Sequence, residues 1–348
     1  FVYDCLEESQ LGCAYLSPSF NGNVQYQELL NHLSWREDLP NAIVYDWTRL
    51  YRQGIKEWGL SIPWEKIERF DKNEVEVSIK TKKYSSYMNV YEFLCKGESN
   101  EEFIINAHNC HPFQANDDLS GCALGISFFQ YLSKIPKRKY SYRLLIGPEL
   151  FAPMFWLDKL NQSQIKKIKG CLLLKSIANN SKLKIQNSFN GNSYLDKVLS
   201  ISSKESIKPS FYPYRTYYGN DETVFEAPGF EIPSITLTRF PFDQYHTHLD
   251  NLDNISIPSL EETFNVLKET FFILENDYFV SSNCKGLYCL SNPKYDLYKT
   301  ASEPGISTKG NSDIAKSWNL LMNCLPRRLF NGISISELSI LYSVSFKE

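Results

Sequence analysis

The chain has 348 residues, 43% of them apolar and 22% charged, a globular composition that suits two domains or one large α/β domain with an appendage. Its net charge of −3 gives no electrostatic reason to expect nucleic acid or an anionic membrane surface as partner. No apolar run approaches the ~20 residues of a membrane span, and the nine cysteines form no CxxC pair, so they read as reduced thiols of a cytoplasmic protein and not as a disulfide framework.

The first residue is Phe and no basic-then-apolar leader follows, so no signal peptide is expected, and the missing Met points to a fragment or a trimmed chain. Residues 1–60 read as irregular and helical, with helices over 26–33 and 46–58. Val75, Val77 and Ile79 then alternate with Glu74, Glu76 and Ser78 in the manner of a strand. A second run, 87–95, is expected to pair with it across residues 82–86, giving a β-hairpin in a β-rich insertion over 61–100. The α/β core begins at Glu102 and extends to residue 283. Its expected strands are 103–107, 142–146, 171–175 and 234–237, with helices over 119–132 and 153–160. Strands alternating with helices predict a sheet covered on both faces, whose site lies beyond the carboxyl ends of the strands. Leu260, Phe264, Leu267, Phe271 and Leu274 share one face of a helix over 259–276. Residues 284–310 read as loop, and two helices, 313–324 and 336–341, flank a glycine near the end.

Four of the five histidines fall in two tight clusters. The first is His108-Asn-Cys110-His111, followed by Asp117 and Asp118, between a buried strand and the start of a helix. Imidazole and carboxylate together are the common ligand set of a hydrolytic zinc. The second is Tyr245-His246-Thr-His248-Leu-Asp250, in a loop after another strand. Either aspartate of the Asp117–Asp118 pair can cap the helix that follows while the other binds metal. Glu149 ends a third strand, facing the same crevice, and can serve as ligand or as the base that takes a proton from water. Asp221 and Glu222 lie in a turn-rich stretch, where plain turn chemistry competes with an additional site. Cys110 with His108 or His111 could form a thiolate nucleophile, but that reading leaves the carboxylates idle. Arg143, Tyr217, Tyr218, Arg239 and Tyr245 lie near these motifs as candidates for holding substrate.

The stretch His108-x-Cys-His-Pro-x-x-x-Asn-Asp-x-Leu-Ser-Gly resembles the signature of the bacterial aminopeptidase-like (DUF4910/DUF2172) proteins, relatives of the M28-type zinc aminopeptidases. The segment from Tyr140 through Arg143 to Glu149 is similar to that family's strand and turn. Gly219-Asn-Asp-Glu222 with Ala227-Pro-Gly, Tyr245-His-Thr-His-Leu-Asp-Asn-Leu-Asp, and Ala42-Ile-Val-Tyr with Glu57-Trp-Gly resemble further family segments. The resemblance implies an α/β, zinc-exopeptidase-like mixed sheet flanked by helices, with residues 1–60 as the N-terminal part of the core. It also implies a small β-rich insertion, and a linker with a partial winged-helix-like module over 284–348. Asp117 would be the metal-bridging carboxylate, His108 or His111 a ligand, His246 the late-loop ligand, and Glu149 the acidic base and ligand.

The chain departs from the M28 pattern at several positions. Glu149 stands alone where M28 enzymes have two adjacent glutamates. Cys110 occupies the place of an aspartate, and Lys175 ends the strand that would supply another. One zinc ion is therefore expected rather than two. His248 stands where the family has Ser and Asp118 where it has Asn, so either could add a ligand or alter a hydrogen bond. The expected function is a zinc-dependent hydrolase of the aminopeptidase type cleaving the amide bond of a peptide or small molecule. Two other readings stay open. One is an amidase or deacylase of a small metabolite or sugar derivative. The other is a catalytically silent scaffold whose tail binds a partner, with the acidic balance arguing against DNA. A homo-oligomer stays open as well.

Overall fold

In the computed structural model, which describes residues 1–48, 57–206, 209–217, 219–295, 297 and 313–347, the alternating segment after residue 73 is a strand but not half of a hairpin. Strand β1 (Phe20–Gln25) leads into helix α1 (Tyr26–Asn31), and β1 pairs antiparallel with β2 (Glu74–Ile79), Val24 opposite Val75. Val77 and Ile79 bury against Val24, Leu29, Trp58 and Ile62 in a small core of their own. The run expected to complete the hairpin, β3 (Tyr91–Cys95), joins the central sheet instead. Its intervening residues lack the Asn-Gly or Asp-Gly pair that drives a tight hairpin, so burial against distant strands decides the pairing. The helix expected over 46–58 lies mostly outside the described residues.

The central sheet adds β4 (Glu102–His108), β5 (Ser141–Gly147), β6 (Ile168–Lys175), β7 (Lys184–Gln186), β8 (Ser210–Tyr212) and β9 (Ser234–Thr238), in the order β8-β7-β9-β6-β4-β5-β3. The four central strands run parallel, while β3 and β7 lie antiparallel to β5 and β9. Nearly every residue of β4 is buried, as a strand covered on both faces requires. Phe103, Ile105 and Ala107 pack on one face with α2 (Ser120–Ser133), α4 (Tyr194–Ser206) and α5 (Ile257–Asn276). Ile104 and its neighbours Leu145 and Leu173 pack on the other, under Trp156 and Leu157 of α3 (Phe151–Asp158). Of the apolar stripe on α5, Leu267, Phe271 and Leu274 are buried, while Leu260 and Phe264 pack against the same core half-buried.

Beyond the core, α6 (Asp313–Asn331) continues through Pro326 past its expected end and stops at Gly332, whose φ of 76° suits a residue without Cβ. Ser334 then caps α7 (Ile335–Tyr342) in a capping box with Glu337. Phe279–Val280 and Ile333–Ser334 pair as a short ladder beside a separate cluster built on Leu321, Met322, Leu338 and Tyr342. No described helix is long and apolar enough to cross a membrane.

Candidate metal centre

The carboxyl ends of β4, β5, β6 and β9 deliver His108, Glu149, Lys175 and the loop bearing His246 to one crevice, the position the strand order dictates. Between β4 and α2 the chain makes an irregular turn over Ala115–Leu119, with a cis peptide between Asp117 and Asp118. The turn is held from outside. Asp250 accepts the amides of Asn116 and Asp117 at 2.8 and 2.9 Å, and Asp118 accepts those of His108, Gly121 and Ser176 at 3.3, 3.2 and 3.1 Å. Asp118 thus anchors backbone on three elements and leaves Asp117 to face the crevice. Both carboxylates are fully buried. Burial and the neighbouring Asp117 raise the Asp118 carboxyl above the ordinary range, against the pull of the amides it accepts.

Asp117 is the centre of the cluster. Its Oδ1 lies 2.6 Å from Lys175 Nζ and 3.3 Å from His108 Nε2. Its Oδ2 lies 3.3 Å from His246 Nε2 and 3.7 Å from His111 Nε2. Burial opposes its charge, yet the Lys175 ammonium beside Oδ1 holds its carboxyl well below the ordinary range. His111 Nδ1 contacts the Pro112 carbonyl at 2.8 Å, which can only accept, so Nδ1 carries the proton and Nε2 presents a lone pair. That Nε2 and both Asp117 oxygens are buried without a hydrogen-bond partner, Oδ1 being ion-paired with Lys175 while Oδ2 faces the imidazoles. Two lone pairs facing each other are unfavourable unless a cation lies between them. Burial lowers the basicity of His246, which keeps its ring neutral as a ligand must be.

Two groups of metal-ligating side chains have their ligand atoms mutually within 4.8 Å: His111, Asp117 and His246; and His108, Cys110 and Glu149. His108 and His111 therefore belong to different sets, a division their shared motif does not reveal. Cys110 is exposed at the rim. Burial would raise the Glu149 carboxyl, but the Lys175 ammonium holds it below the usual glutamate range.

His248 turns away from Asp117. Its Nδ1 accepts the Ile43 amide at 3.0 Å, so it fastens the N-terminal segment to the late loop and is not drawn into either set. Asp221 and Glu222 also lie outside both sets, and Asp221 supports the Glu149 loop from behind. The amide of Leu150, a residue with a φ of 62°, donates to Asp221 Oδ1 at 2.6 Å, and both Glu222 oxygens accept the Asn220 amide. Of the candidates for holding substrate, Tyr245 stacks on His246 with ring centroids 3.8 Å apart. Arg143 pairs with Glu92 and Glu102, and buried Arg239 with Glu262, in structural roles. Tyr217 packs against Tyr212, and Tyr218 lies outside the described residues. Sequence reasoning misses Tyr45, which stacks on His111 at 4.5 Å and meets His246 edge-on, and Asp250 as the brace of the turn. Both stand inside recognised segments, so their segments were visible although their contacts were not.

The rear carboxylates carry a pH signature. Burial pushes Asp221 up to about 8 and Glu222 up to about 7. The native state then keeps a proton on Asp221 that the unfolded chain loses near pH 4, so stability is full below about 4 and falls as pH rises towards 8, by about 1.4 kcal/mol per unit. Asp221→Asn keeps the acceptor for Leu150 and removes the titration. Its stability advantage over the unsubstituted protein is expected to be near zero at pH 4 and to widen up to pH 8, read as the difference in urea midpoint. A difference independent of pH would mean that Asp221 titrates as an ordinary carboxylate.

Against this geometry stand the comparisons with known proteins. The family model described as "Domain of unknown function (DUF4910)" matches residues 33–277. A Clostridium acetobutylicum protein described as "Putative polysaccharide biosynthesis protein with aminopeptidase-like domain" is 31% identical over 215 residues, 60% of this chain and 48% of that protein. The chain thus spans about half the length of the curated relative it matches. The crystal structure of a "putative peptidase" from the same organism matches with a TM-score of 0.75 at 23% identity, over 98% of this chain and 75% of that one. A zinc aminopeptidase from Bacillus subtilis matches with a TM-score of 0.52 at 15% identity, over 72% of this chain and 67% of that one. Both structures share the fold, a mixed sheet flanked by helices, as the sequence motifs led one to expect.

Proposed function

The chain belongs to the DUF4910 family, and on that premise we propose that it is a zinc-dependent hydrolase of the aminopeptidase type, opening an amide bond with water. The observation that carries the reading is the pair of partnerless lone pairs, His111 Nε2 and Asp117 Oδ2, with His246 Nε2 at 3.3 Å from the same oxygen. Two imidazoles and a carboxylate are a donor set suited to zinc, with room for a further ligand. His111, Asp117 and His246 would hold the ion. Zinc in such a set supplies Lewis acidity towards a water or a carbonyl oxygen.

The remaining work falls to the chain's own groups. Glu149, ionised at neutral pH, accepts a proton from the attacking water and delivers it to the leaving amine. Tyr45 and Tyr245 stack on the ligand imidazoles, fix their planes, and wall the crevice against bulk water. An aminopeptidase reading is supported by the fold shared with a zinc aminopeptidase and by the aminopeptidase-like domain in the relative's name. That same name ties such a domain to polysaccharide biosynthesis, which favours an N-acyl sugar derivative as the second reading.

Elemental analysis of the purified protein is expected to give one zinc per chain. A panel of aminoacyl anilides and N-acyl amino sugars is expected to show turnover that a chelator abolishes and zinc restores. Absence of bound metal after zinc loading would sink the reading, and the panel separates peptidase from deacylase.

A further inference from the structure

We infer that Lys175 is a built-in cation that divides this cluster of ligands, so that the protein holds its single divalent ion on His111, Asp117 and His246 and excludes a second ion from His108, Cys110 and Glu149. The inference rests on the zinc reading above and goes beyond it, since a mixed set of three histidines, two carboxylates and a thiol could otherwise accept two ions.

Lys175 ends β6 at the centre of the crevice and is 1% exposed. Its ammonium has three protons to donate and no lone pair to accept with. It therefore donates to His108 Nε2 at 3.0 Å, and it pairs with Asp117 Oδ1 at 2.6 Å. Each contact uses a lone pair that a second ion would need. With Nε2 occupied, His108 directs Nδ1 towards Asp118 Oδ2 at 3.6 Å, a carboxylate already engaged by three backbone amides. His108 Nε2 is then closed to metal, and Nδ1 could serve an ion only by turning away from the buried Asp118. An ion on Cys110 and Glu149 would also sit beside the positive charge of buried Lys175, and like charges repel.

On the other side of Asp117 no such cation intervenes among the described contacts. Oδ2 faces the Nε2 atoms of His111 and His246. Lys175 thus has a positioning role. It holds Asp117 so that one oxygen is spent internally and the other is aimed at the ion, and it supplies a positive charge next to Glu149 without a second metal.

The test counts metal. The protein, and its Lys175→Asp, His108→Ala and His111→Ala variants, are loaded with excess zinc, freed of loose metal and analysed for zinc per chain. The unsubstituted protein is expected to carry one ion. Lys175→Asp, which replaces the ammonium with a ligand beside His108 and Asp117, is expected to carry two. His108→Ala is expected to keep one, and His111→Ala to lose most of it. Two ions in the unsubstituted protein would overturn the inference while leaving the zinc reading in place. So would Lys175→Asp remaining at one, or His108→Ala losing zinc that His111→Ala retains. No ion in the unsubstituted protein would remove the zinc reading and this inference with it. Should Lys175→Asp fail to fold, the other three counts can still overturn the inference.

Discussion

Asp117→Asn is expected to cost about 3–5 kcal/mol of stability in the metal-free protein and to abolish stoichiometric zinc binding. The carboxylate is fully buried, and its Oδ1 lies 2.6 Å from the ammonium of Lys175, itself 1% exposed. The amide preserves the shape of the side chain but not its charge. An ammonium left without a counter-charge in the interior pays its desolvation uncompensated, which is why removing one partner of a buried pair costs far more than a surface salt bridge is worth. The brace from Asp250 holds the Asn116 and Asp117 amides and is untouched, so the turn keeps its path. Urea unfolding of the metal-free forms measures the loss without the stabilisation that a bound ligand adds. Stability unchanged in that comparison would mean that Lys175 finds another anion or leaves the interior, and the ion pair at the centre of this site would lose its significance.

Glu149→Gln is expected to lower turnover of any amide substrate by about 10²- to 10⁴-fold while zinc per chain stays constant. Glutamine is nearly isosteric but cannot take a proton from water. Glu149 stands outside the His111, Asp117 and His246 set, so its removal leaves the ion's ligands in place. Its positive surroundings, Lys175 above all, keep it ionised against the effect of burial. Rates and zinc content measured on the same preparation separate the roles. Full activity would dismiss Glu149 as the base, whereas parallel loss of zinc and activity would make it a ligand.

The parts of this fold legible in the sequence are those governed by local pattern and burial. The apolar run through Ile104 and Ile105 reads as a covered strand because nearly every residue of that strand is buried. The stripe from Leu260 to Leu274 reads as a helix because its apolar spacing matches one helical face. Helix α4 escapes such a reading, since serines interrupt its apolar face at Leu195, Val198 and Leu199. The expected hairpin fails for a related reason. Val75, Val77 and Ile79 announce a strand with one buried face, but nothing within the segment says which distant strand will cover it, and β1 does.

The same division runs through the site. By itself the sequence determined that two histidine clusters and isolated acids fall at strand ends, and that Lys175 ends a strand where a carboxylate ligand would be expected. Only the tertiary structure decided that His108 and His111, three residues apart, serve different sets, that His248 faces away, and that the lysine lies between Asp117 and His108. Residue type and spacing decide which groups can reach a crevice. Which lone pair points at which neighbour depends on ångström-scale placement, and that emerges only when four strand ends and a distant loop pack together.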